Sequence, residues 1–474
     1  MPRREFTAAS TMRSRLASNR RRDTISTAGF ARRPQNSGSA INLSLAPLDQ
    51  PYTPKLLTVF SEGYRLSDLR ADIVAGLTVA VVALPLSMAI AVASGTTPER
   101  GLFAAIVGGF FISAFGGSRF QIGGPAGAFI VLVASAVARH GIDGVILATA
   151  LSGCFLLVAG LLRLGSLIRL IPLAVTVGFT AGIAVIIFVS QIKDSLGLHL
   201  AGPEPGEIVP KVAALARAIA TTSPAAICIC LVTVGIIVGV RRYCPRWPGM
   251  LVAIVVVAFA AWALGLPVET IGSRFGQLPS TPPLPALPEM SFAKIQAVLP
   301  DALAFTLLGA IESLLSAVVA DGMTRRRHRP NCELVAQGIG NIGSALFGGI
   351  CVTGTIARTA TNIRAGARSP MAGMIHSAAL LLLMLVAAPL CSFIPMAALA
   401  GVLMLVAWNM VEKHEFAVLL RTSVGLAVVL MATLLLTVFR DLTEGIVAGV
   451  ALSALLPFVG RVRDWHGRRF PRDK

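Results

Sequence analysis

From Asp72 onward, the sequence consists of apolar runs that are long enough to cross a lipid bilayer. A helix needs about 20 predominantly apolar residues to span the hydrocarbon core. Twelve runs approach this length, at residues 72–93, 101–116, 143–162, 172–192, 223–240, 247–265, 301–320, 332–349, 370–390, 396–411, 421–439 and 442–460. Two further pieces, 123–138 and 353–363, are shorter and rich in glycine and small polar residues. The pattern predicts an all-α polytopic membrane protein with 14 segments.

The composition argues against soluble classes of protein. Charged residues make up 14% of the chain and hydrophobic residues 55%, whereas a soluble domain has about 25% charged residues. A soluble enzyme and a nucleic-acid-binding domain are therefore excluded, despite the net charge of +18. The seven cysteines lie mostly inside apolar runs and show no ligand spacing, so we expect neither a disulfide framework nor a metal site.

The distribution of basic residues indicates how the chain is oriented. An even number of segments places both termini on one side, and with cytoplasmic termini the inner segments hold 32 of the 41 Lys and Arg residues. Such an excess marks the cytoplasmic side. We therefore expect a protein of the cell (inner or plasma) membrane, with residues 1–55 as a disordered basic cytoplasmic tail and 461–474 as a short one. A cleaved transit peptide over residues 1–50 is the alternative.

A weak internal repeat relates the two halves of the chain. One constant shift in residue number places Asp72 on Asp301, Ser87 on Ser316 and Pro125 on Gly354. Each short glycine-rich piece is then the third of seven segments in its half. An odd number of segments per repeat forces the halves to insert in opposite orientations, as in secondary transporters. The sequence therefore predicts a 7+7 inverted repeat.

The two short pieces predict half-helices that meet near the middle of the membrane. In QIGGPAGAF, Gly123 and Gly124 permit unusual backbone angles, and Pro125 favours the first turn of a helix. In VTGTIARTATN, Gly354 interrupts the backbone, and Thr353 or Thr355 is a suitable N-cap. Two facing helix N-termini form an anion site because their N–H groups replace the water around the anion. A purely structural pair of re-entrant loops is the alternative interpretation.

Two charged residues, Arg358 and Glu312, lie well inside predicted segments, and Glu312 is the only acidic residue that does so. Arg358 lies near the start of the second half-helix, where it adds a positive charge to the anion site; pairing with a backbone carbonyl or with Glu312 is the structural alternative. Glu312, with Ser316 one turn later on the same face, is suited to carry a proton or to bind sodium. The alternative is a permanently protonated Glu312 that bonds a neighbouring helix. His376 is predicted to be a hydrogen-bonded histidine between helices.

At these residues the chain resembles the SulP (sulfate permease) family of anion transporters and their animal anion-exchanger relatives. The resemblance covers about residues 57–458. It rests on DIVAGLTVAVVALPLSMAIA, FGGSRFQIGGPAG, GAIESLLSAVVADGMTRRRHRPNCELVAQGIGN and FGGICVTGTIARTATN. It implies a fold shared with uracil-type permeases, in which a core domain carries the substrate and slides against a gate domain in an elevator-like movement.

The resemblance also implies a domain division and a set of site residues. The transporter domain spans 56–460, with the core at about 72–162 and 301–390 and the gate at about 165–265 and 396–460. The substrate-binding residues that the resemblance implies are Pro85, Leu86, Pro125, Ala126, Thr355, Ala357 and Arg358. Their neighbours Ser87, Gly124 and Gly354 complete the expected site. Glu312 matches the acidic coupling position of the family, and Ser316 a nearby hydroxyl that some members use for sodium.

The chain departs from the family pattern at the site and at its end. Leu86 replaces a common Gln, Ala126 a bulky aromatic residue and Ala357 a common Ser, which predicts a larger pocket with fewer side-chain donors. The stretch IARTATNIRAG is most similar to the branch with bacterial C4-dicarboxylate carriers. The family usually continues into a cytoplasmic STAS domain, whereas this sequence stops at Lys474, so contacts that depend on that domain are not expected.

The leading functional hypothesis is a symporter for sulfate or a dicarboxylate that couples the anion to a proton or to sodium. The alternatives are an uncoupled exchanger or channel for bicarbonate or chloride and, on the same fold, a nucleobase permease. An enzyme is not expected, because no nucleophile–base set appears. We expect no cofactor besides the co-transported H⁺ or Na⁺. The expected partners are a small inorganic or organic anion and the lipid bilayer, and nucleic acid is not expected. The oligomeric state considered is a homodimer.

Overall fold

The structure is a computed structural model, and it describes residues 52–166, 172–202, 204–244, 247–440 and 444–455. The predicted terminal tails therefore lie outside the described residues, apart from 52–55. In chain order the elements are α1 (Lys55–Ser61), α2 (Leu66–Ala93), α3 (Pro98–Phe115), β1 (Gly123–Gly124), α4 (Gly127–Leu161), α5 (Leu173–Ser190), α6 (Ile192–Leu196), α7 (Ile208–Arg217), α8 (Pro224–Tyr243), α9 (Gly249–Ala263), α10 (Ile271–Phe275), α11 (Phe292–Thr324), α12 (Pro330–Leu346), β2 (Thr353–Gly354), α13 (Ile356–Arg364), α14 (Met371–Cys391), α15 (Met396–Met410), α16 (Lys413–Thr422), α17 (Val424–Phe439) and α18 (Glu444–Leu455).

Apolar helices account for nearly all of this architecture. Eight helical stretches in the described part of the chain are long and apolar enough to cross a membrane. The shorter apolar helices α9, α17 and α18 add to them. Helices satisfy their backbone hydrogen bonds internally, as a chain within lipid must. The predicted all-α membrane class is confirmed.

The two half-helices appear where the sequence predicts them, but the first begins later than expected. Its opening turn, Gly127–Phe129, is a 3₁₀ turn, and Ala126 in front of it is extended, so Pro125 does not start the helix. At its far end Gly141 has a φ of 67°, a left-handed conformation that breaks α4 into two parts. The second half-helix is α13, with Thr355 at its N-cap position.

A short antiparallel strand pair joins the two half-helices at their starts. Gly123 of β1 lies opposite Gly354 of β2, and Gly124 lies opposite Thr353. Each strand leads directly into a half-helix, and the strands run in opposite directions. We call this strand pair the strand crossing. The half-helices therefore leave the strand crossing in opposite directions with their N-termini close together, as an inverted repeat requires.

The repeat is more regular in the structure than in the sequence. The first half-helix starts at Gly127 and the second at Ile356. These two starts are related by the same shift in residue number that places Asp72 on Asp301. The predicted 7+7 inverted repeat is confirmed, even though few residue identities support it.

The helices around the half-helices come from both repeats. Helix α4 packs against α11 and α12, and α2 packs against α14. On the other side of the bundle, α5 packs against α15 and α17, and α8 packs against α9 and α15. The first group belongs to the predicted core and the second to the predicted gate; the division itself stays a prediction.

Candidate functional site

The predicted site residues lie around the strand crossing. Pro85, Leu86 and Ser87 are buried within α2, where Pro85 interrupts the backbone hydrogen bonding of the helix. The other seven lie in the strands or between the strands and the first turns of the half-helices, and they are Gly124, Pro125, Ala126, Gly354, Thr355, Ala357 and Arg358. Of these seven only Ala357 is exposed. Residues from both halves of the chain are thus brought together.

The starts of both half-helices provide backbone donors. The first N–H groups of any helix have no partner within the helix, and they carry a partial positive charge. At the second start, the Thr355 hydroxyl donates to the carbonyl of Ile122 at 3.3 Å, and the Thr355 N–H donates to the same oxygen at 3.0 Å. Thr355 therefore ties the half-helix to the strand crossing instead of capping it, which leaves the first N–H groups of α13 uncapped.

Arg358 is the only charged residue at the crossing among the described residues, and it is 2% exposed. Its Nη2 donates to the Ser87 hydroxyl at 3.1 Å and to the Pro125 carbonyl at 3.2 Å. Within the described part of the chain, its Nε and Nη1 have no hydrogen-bond partner and it forms no ion pair. The carbonyl pairing considered from the sequence is therefore present, whereas pairing with Glu312 is not. A buried guanidinium with unpaired N–H groups is poised to bind an anion.

At both strands a glycine leaves room for a neighbouring side chain. A Cβ atom added to Gly124 would collide with Nη1 of Arg358, and one added to Gly354 would collide with the side chain of Gln121. The strand crossing therefore brings the backbone and these two side chains into close contact, and a Cβ atom at either position would force the neighbouring side chain to move.

Glu312 lies on α11 and is 9% exposed. The neighbouring serines make contacts of their own: the hydroxyls of Ser316 and Thr359 are 3.3 Å apart, and Ser313 accepts from Gln121 at 2.7 Å. No hydrogen bond or ion pair of Glu312 occurs among the described residues. Its carboxyl group is therefore available to a proton or to a cation.

The expectation for His376 is wrong. The residue is fully buried on α14, but neither ring nitrogen has a hydrogen-bond partner among the described residues. Sequence patterns identify a histidine in an apolar helix but not whether a partner faces it. Glu312 is also not the sole buried carboxylate, because Glu333 near the start of α12 is fully buried as well.

A polar stripe on α12 was missed by the sequence analysis. Glu333 accepts from the backbone N–H groups of Gly117 and Ser118 at 2.9 and 3.1 Å. Two turns later, Asn341 exchanges two hydrogen bonds with the backbone of Val352, at 2.8 and 2.9 Å. This stripe therefore holds the segments that lead into both strands. The sequence pattern that could have revealed this stripe is a polar residue at every fourth position, at Glu333, Gln337 and Asn341.

Two apolar side chains that approach the first half-helix were also missed. A Cβ atom on Gly127 would lie 3.3 Å from Cδ1 of Ile187 on α5 and 3.6 Å from Sδ of Met410 on α15. Both helices belong to the predicted gate. Ile187 and Met410 therefore form an apolar wall opposite the first turn of the half-helix, and nothing in the sequence distinguishes them from other apolar residues.

Comparison with known sequences identifies related proteins. A model of the sulfate permease family matches residues 69–454. A putative sulfate transporter of Bacillus subtilis, YvdB, is 41% identical over 404 residues, which cover 85% of this chain and 75% of that protein. The bicarbonate transporter BicA of Picosynechococcus is 32% identical over 405 residues, covering 82% and 70%.

Comparison with solved structures supports the same relationship. The transmembrane domain of a cyanobacterial bicarbonate transporter, BicA, matches with a TM-score of 0.72 and 33% identity, covering 81% of this chain and 98% of that one. The murine anion transporter Slc26a9 in its inward-facing state matches with a TM-score of 0.79, covering 93% and 77%. At 17% identity this second match establishes a shared fold alone.

Proposed function

The chain belongs to the sulfate permease family, and we propose that it is a secondary active transporter that carries a small anion together with a proton. Transport of small anions by a multi-pass membrane protein is the activity common to its named relatives. To this activity we add the position of the bound anion, the identity of the coupled ion and the movement between the core and the gate.

The observation that carries the proposal is Arg358, which forms no ion pair among the described residues and lies beside two uncapped helix starts. A charge near the middle of a bilayer costs at least about 2.5 kcal/mol on insertion scales. Arg358 has two hydrogen bonds, both from one nitrogen, to offset this cost. An anion at the starts of α4 and α13 supplies the missing charge and accepts the free N–H groups. We therefore place it beside Pro125, Ala126, Thr355 and Ala357.

We assign the coupled cation to Glu312. A proton neutralises this buried carboxylate, and a sodium ion could use it together with the Ser316 hydroxyl. Because Ser316 lies 3.3 Å from Thr359, one residue after Arg358, a change at the cation position reaches the half-helix that holds the anion. This short connection offers a physical basis for coupling.

The movement we propose is a sliding of the core past the gate. Both half-helices belong to the core, whereas Ile187 and Met410, which face the first turn at Gly127, belong to the gate. Apolar side chains form no directional bonds with the core and therefore do not hold it at one position. We place both termini in the cytoplasm and the protein in the cell membrane, because the basic residues follow that orientation.

Sulfate or a dicarboxylate is the proposed substrate. The name of the Bacillus subtilis relative supports sulfate. Leu86, Ala126 and Ala357 leave the pocket with few side-chain donors, and Ile187 with Met410 adds an apolar wall. A carboxylate anion with a short hydrocarbon segment suits such a pocket. An uncoupled bicarbonate exchanger is the second candidate, favoured by the similarity to BicA.

Uptake into proteoliposomes tests these assignments. Labelled sulfate, bicarbonate and succinate are offered with and without imposed pH and sodium gradients. We expect one anion to accumulate against its gradient when the outside is acidic, and Glu312→Gln to retain exchange but lose accumulation. Equal uptake with and without both gradients would favour the uncoupled exchanger. If the wild-type protein carries none of these anions, the proposal is wrong.

A further inference from the structure

Two buried aspartates occupy equivalent positions in the two repeats. Asp72 lies in α2, the first helix of the first repeat, and Asp301 lies at the matching position of α11, the first helix of the second. They are 0% and 5% exposed. A buried carboxylate is costly unless it is paired and hydrogen-bonded, so the partners of these residues identify what each one holds.

Asp72 holds the connection that follows the second half-helix. Its Oδ1 accepts the backbone N–H groups of Arg368 and Ser369 at 2.6 and 3.1 Å. Its Oδ2 accepts the hydroxyls of Ser369 and Tyr64 at 2.5 and 2.7 Å. The helix that opens the first repeat is thereby bonded to the connection between α13 and α14 in the second repeat. We call such a connection at the far end of a half-helix its elbow.

Asp301 holds the equivalent elbow of the first repeat. Its Oδ1 accepts from Nη2 of Arg139 at 2.5 Å, and its Oδ2 lies 3.2 Å from Nε2 of His140. These two residues precede Gly141, whose left-handed backbone ends the first half-helix. The helix that opens the second repeat is therefore bonded to the end of the half-helix in the first.

The partners obey the same shift in residue number as the aspartates. The shift that places Asp72 on Asp301 also places Arg139 on Arg368 and His140 on Ser369. Each half-helix is thus held at its start by the strand crossing and at its far end by an aspartate of the opposite repeat. A helix fixed at both ends has a defined axis, and its axis decides where its N-terminal N–H groups point.

We infer that Asp72 and Asp301 are positioning residues of the anion site, which act by fixing the axes of the two half-helices. The inference rests on the proposed function, because the site they position is the proposed anion site. Neither aspartate is one of the residues assigned to contact the anion. Their effect on affinity passes through the half-helices, so it depends on the elbow contacts rather than on the carboxylate alone.

Asp72 and Asp301 differ in the partners they bind, and this difference makes Asp301 the better residue to test by substitution. Asp72 accepts from two backbone N–H groups, and its loss leaves both of them without this partner, which threatens folding. Asp301 bonds to side chains, and Arg139 is 53% exposed. When Asp301 is changed, Arg139 can therefore turn to solvent without leaving a buried charge behind. Asp301→Asn is the informative variant.

A matched control is available on the same helix. Asp321 at the far end of α11 accepts from the ring of His328 at 2.7 Å and from its backbone N–H at 3.0 Å. This aspartate–histidine contact touches neither half-helix. Asp321→Asn therefore removes a comparable contact from α11 without changing an elbow.

The experiment measures transport kinetics, thermal stability and hydrogen exchange in the full chain. We expect Asp301→Asn to raise KM for the transported anion about tenfold with less than twofold change in kcat, and Asp301→Glu to recover most of the affinity. Amides of residues 127–140 should exchange faster in Asp301→Asn. Asp321→Asn should change neither KM nor this exchange.

A double-mutant cycle distinguishes positioning from general destabilisation. In an Arg139→Gln, His140→Gln background, adding Asp301→Asn should raise KM by less than twofold, because the elbow contact is already absent. An undiminished effect in that background, or lower thermal stability with unchanged KM, would overturn the inference. If wild-type protein carries no anion, the proposed function fails, while the exchange measurement still reports whether Asp301 holds the half-helix.

Discussion

The two half-helix starts are built on the same backbone plan but differ in chemistry. The first begins as a 3₁₀ turn over Gly127–Phe129 and contains no ionisable side chain. The second begins as an α-helix at Ile356 and carries Arg358 in its first turn. The residue of the first repeat equivalent to Arg358 is Phe129, which packs edge-on against Phe305 with ring centroids 6.0 Å apart. The backbone plan is thus symmetric, and the charge is not.

This difference separates two contributions to anion binding. Helix N-termini provide partial charge and directed N–H groups, which are weak individually and depend on position. A guanidinium provides a full charge over a longer range. If the proposed function is correct, the first start mainly shapes the site and the second mainly attracts the anion. Changes at the second start should therefore have the larger effects.

The largest effect is expected from removing the charge of Arg358. Arg358→Gln should lower kcat/KM for anion uptake by about 30-fold or more, because truncating a buried charged partner typically costs about 2–5 kcal/mol. Arg358→Lys should retain part of the activity, since it keeps the charge but loses the additional N–H donors of the guanidinium, Nε and Nη1. Uptake into proteoliposomes measures both.

Arg364→Gln is the control for this prediction, because Arg364 ends the same helix and is exposed. It should change uptake less than twofold. Activity within threefold of wild type in Arg358→Gln would contradict the assignment of charge to the second start, and it would place anion binding on the backbone groups alone.

An intermediate effect is expected from closing the space beside each strand. Gly354→Ala introduces a Cβ into the position of the Gln121 side chain, which must then give up its 2.7 Å bond to Ser313. Gly124→Ala instead displaces Arg358. We expect each to lower kcat/KM roughly 10- to 50-fold, with costs of about 1–3 kcal/mol for overpacking.

A second substitution distinguishes the two glycines. Gln121→Ser should restore much of the activity of Gly354→Ala, because it empties the space that the new methyl group needs. It should not restore Gly124→Ala, whose obstacle is Arg358. Uptake and melting temperature of all four variants test this, and equal rescue of both would show that the collisions are not local.

The fold was predictable from the sequence because its main determinant is local. The length of each apolar run alone predicts a membrane-spanning helix, and the glycine-rich pieces are too short to span the bilayer. The start of the first half-helix was predicted two residues too early, at Pro125. The extended conformation of Ala126 continues a strand whose partner, β2, lies in the other half of the chain. No local pattern contains that information.

The candidate site was predictable where residue chemistry is unusual for a membrane and not elsewhere. Arg358 and Glu312 stand out because charges in apolar segments are rare. Ile187 and Met410 do not, since apolar residues occur throughout these helices. Asp72 and Asp301 were matched by the repeat, but their partners in the opposite repeat were not. Each aspartate contacts residues of the opposite repeat, and only the three-dimensional structure shows these contacts.

The smallest effect is expected from two equivalent serines, and it tests the asymmetry of charge most directly. Ser87 accepts from Arg358, whereas its counterpart Ser316 contacts the neutral Thr359. Hydrogen bonds to charged groups contribute about 1.5–3 kcal/mol and neutral ones about 1 kcal/mol. Ser87→Ala should therefore raise KM for the anion roughly tenfold, and Ser316→Ala less than fivefold. If Ser316→Ala has the larger effect on KM at saturating proton and sodium concentrations, the second half-helix is positioned through Thr359 rather than Arg358, and the division between a charged start and a shaping start is wrong.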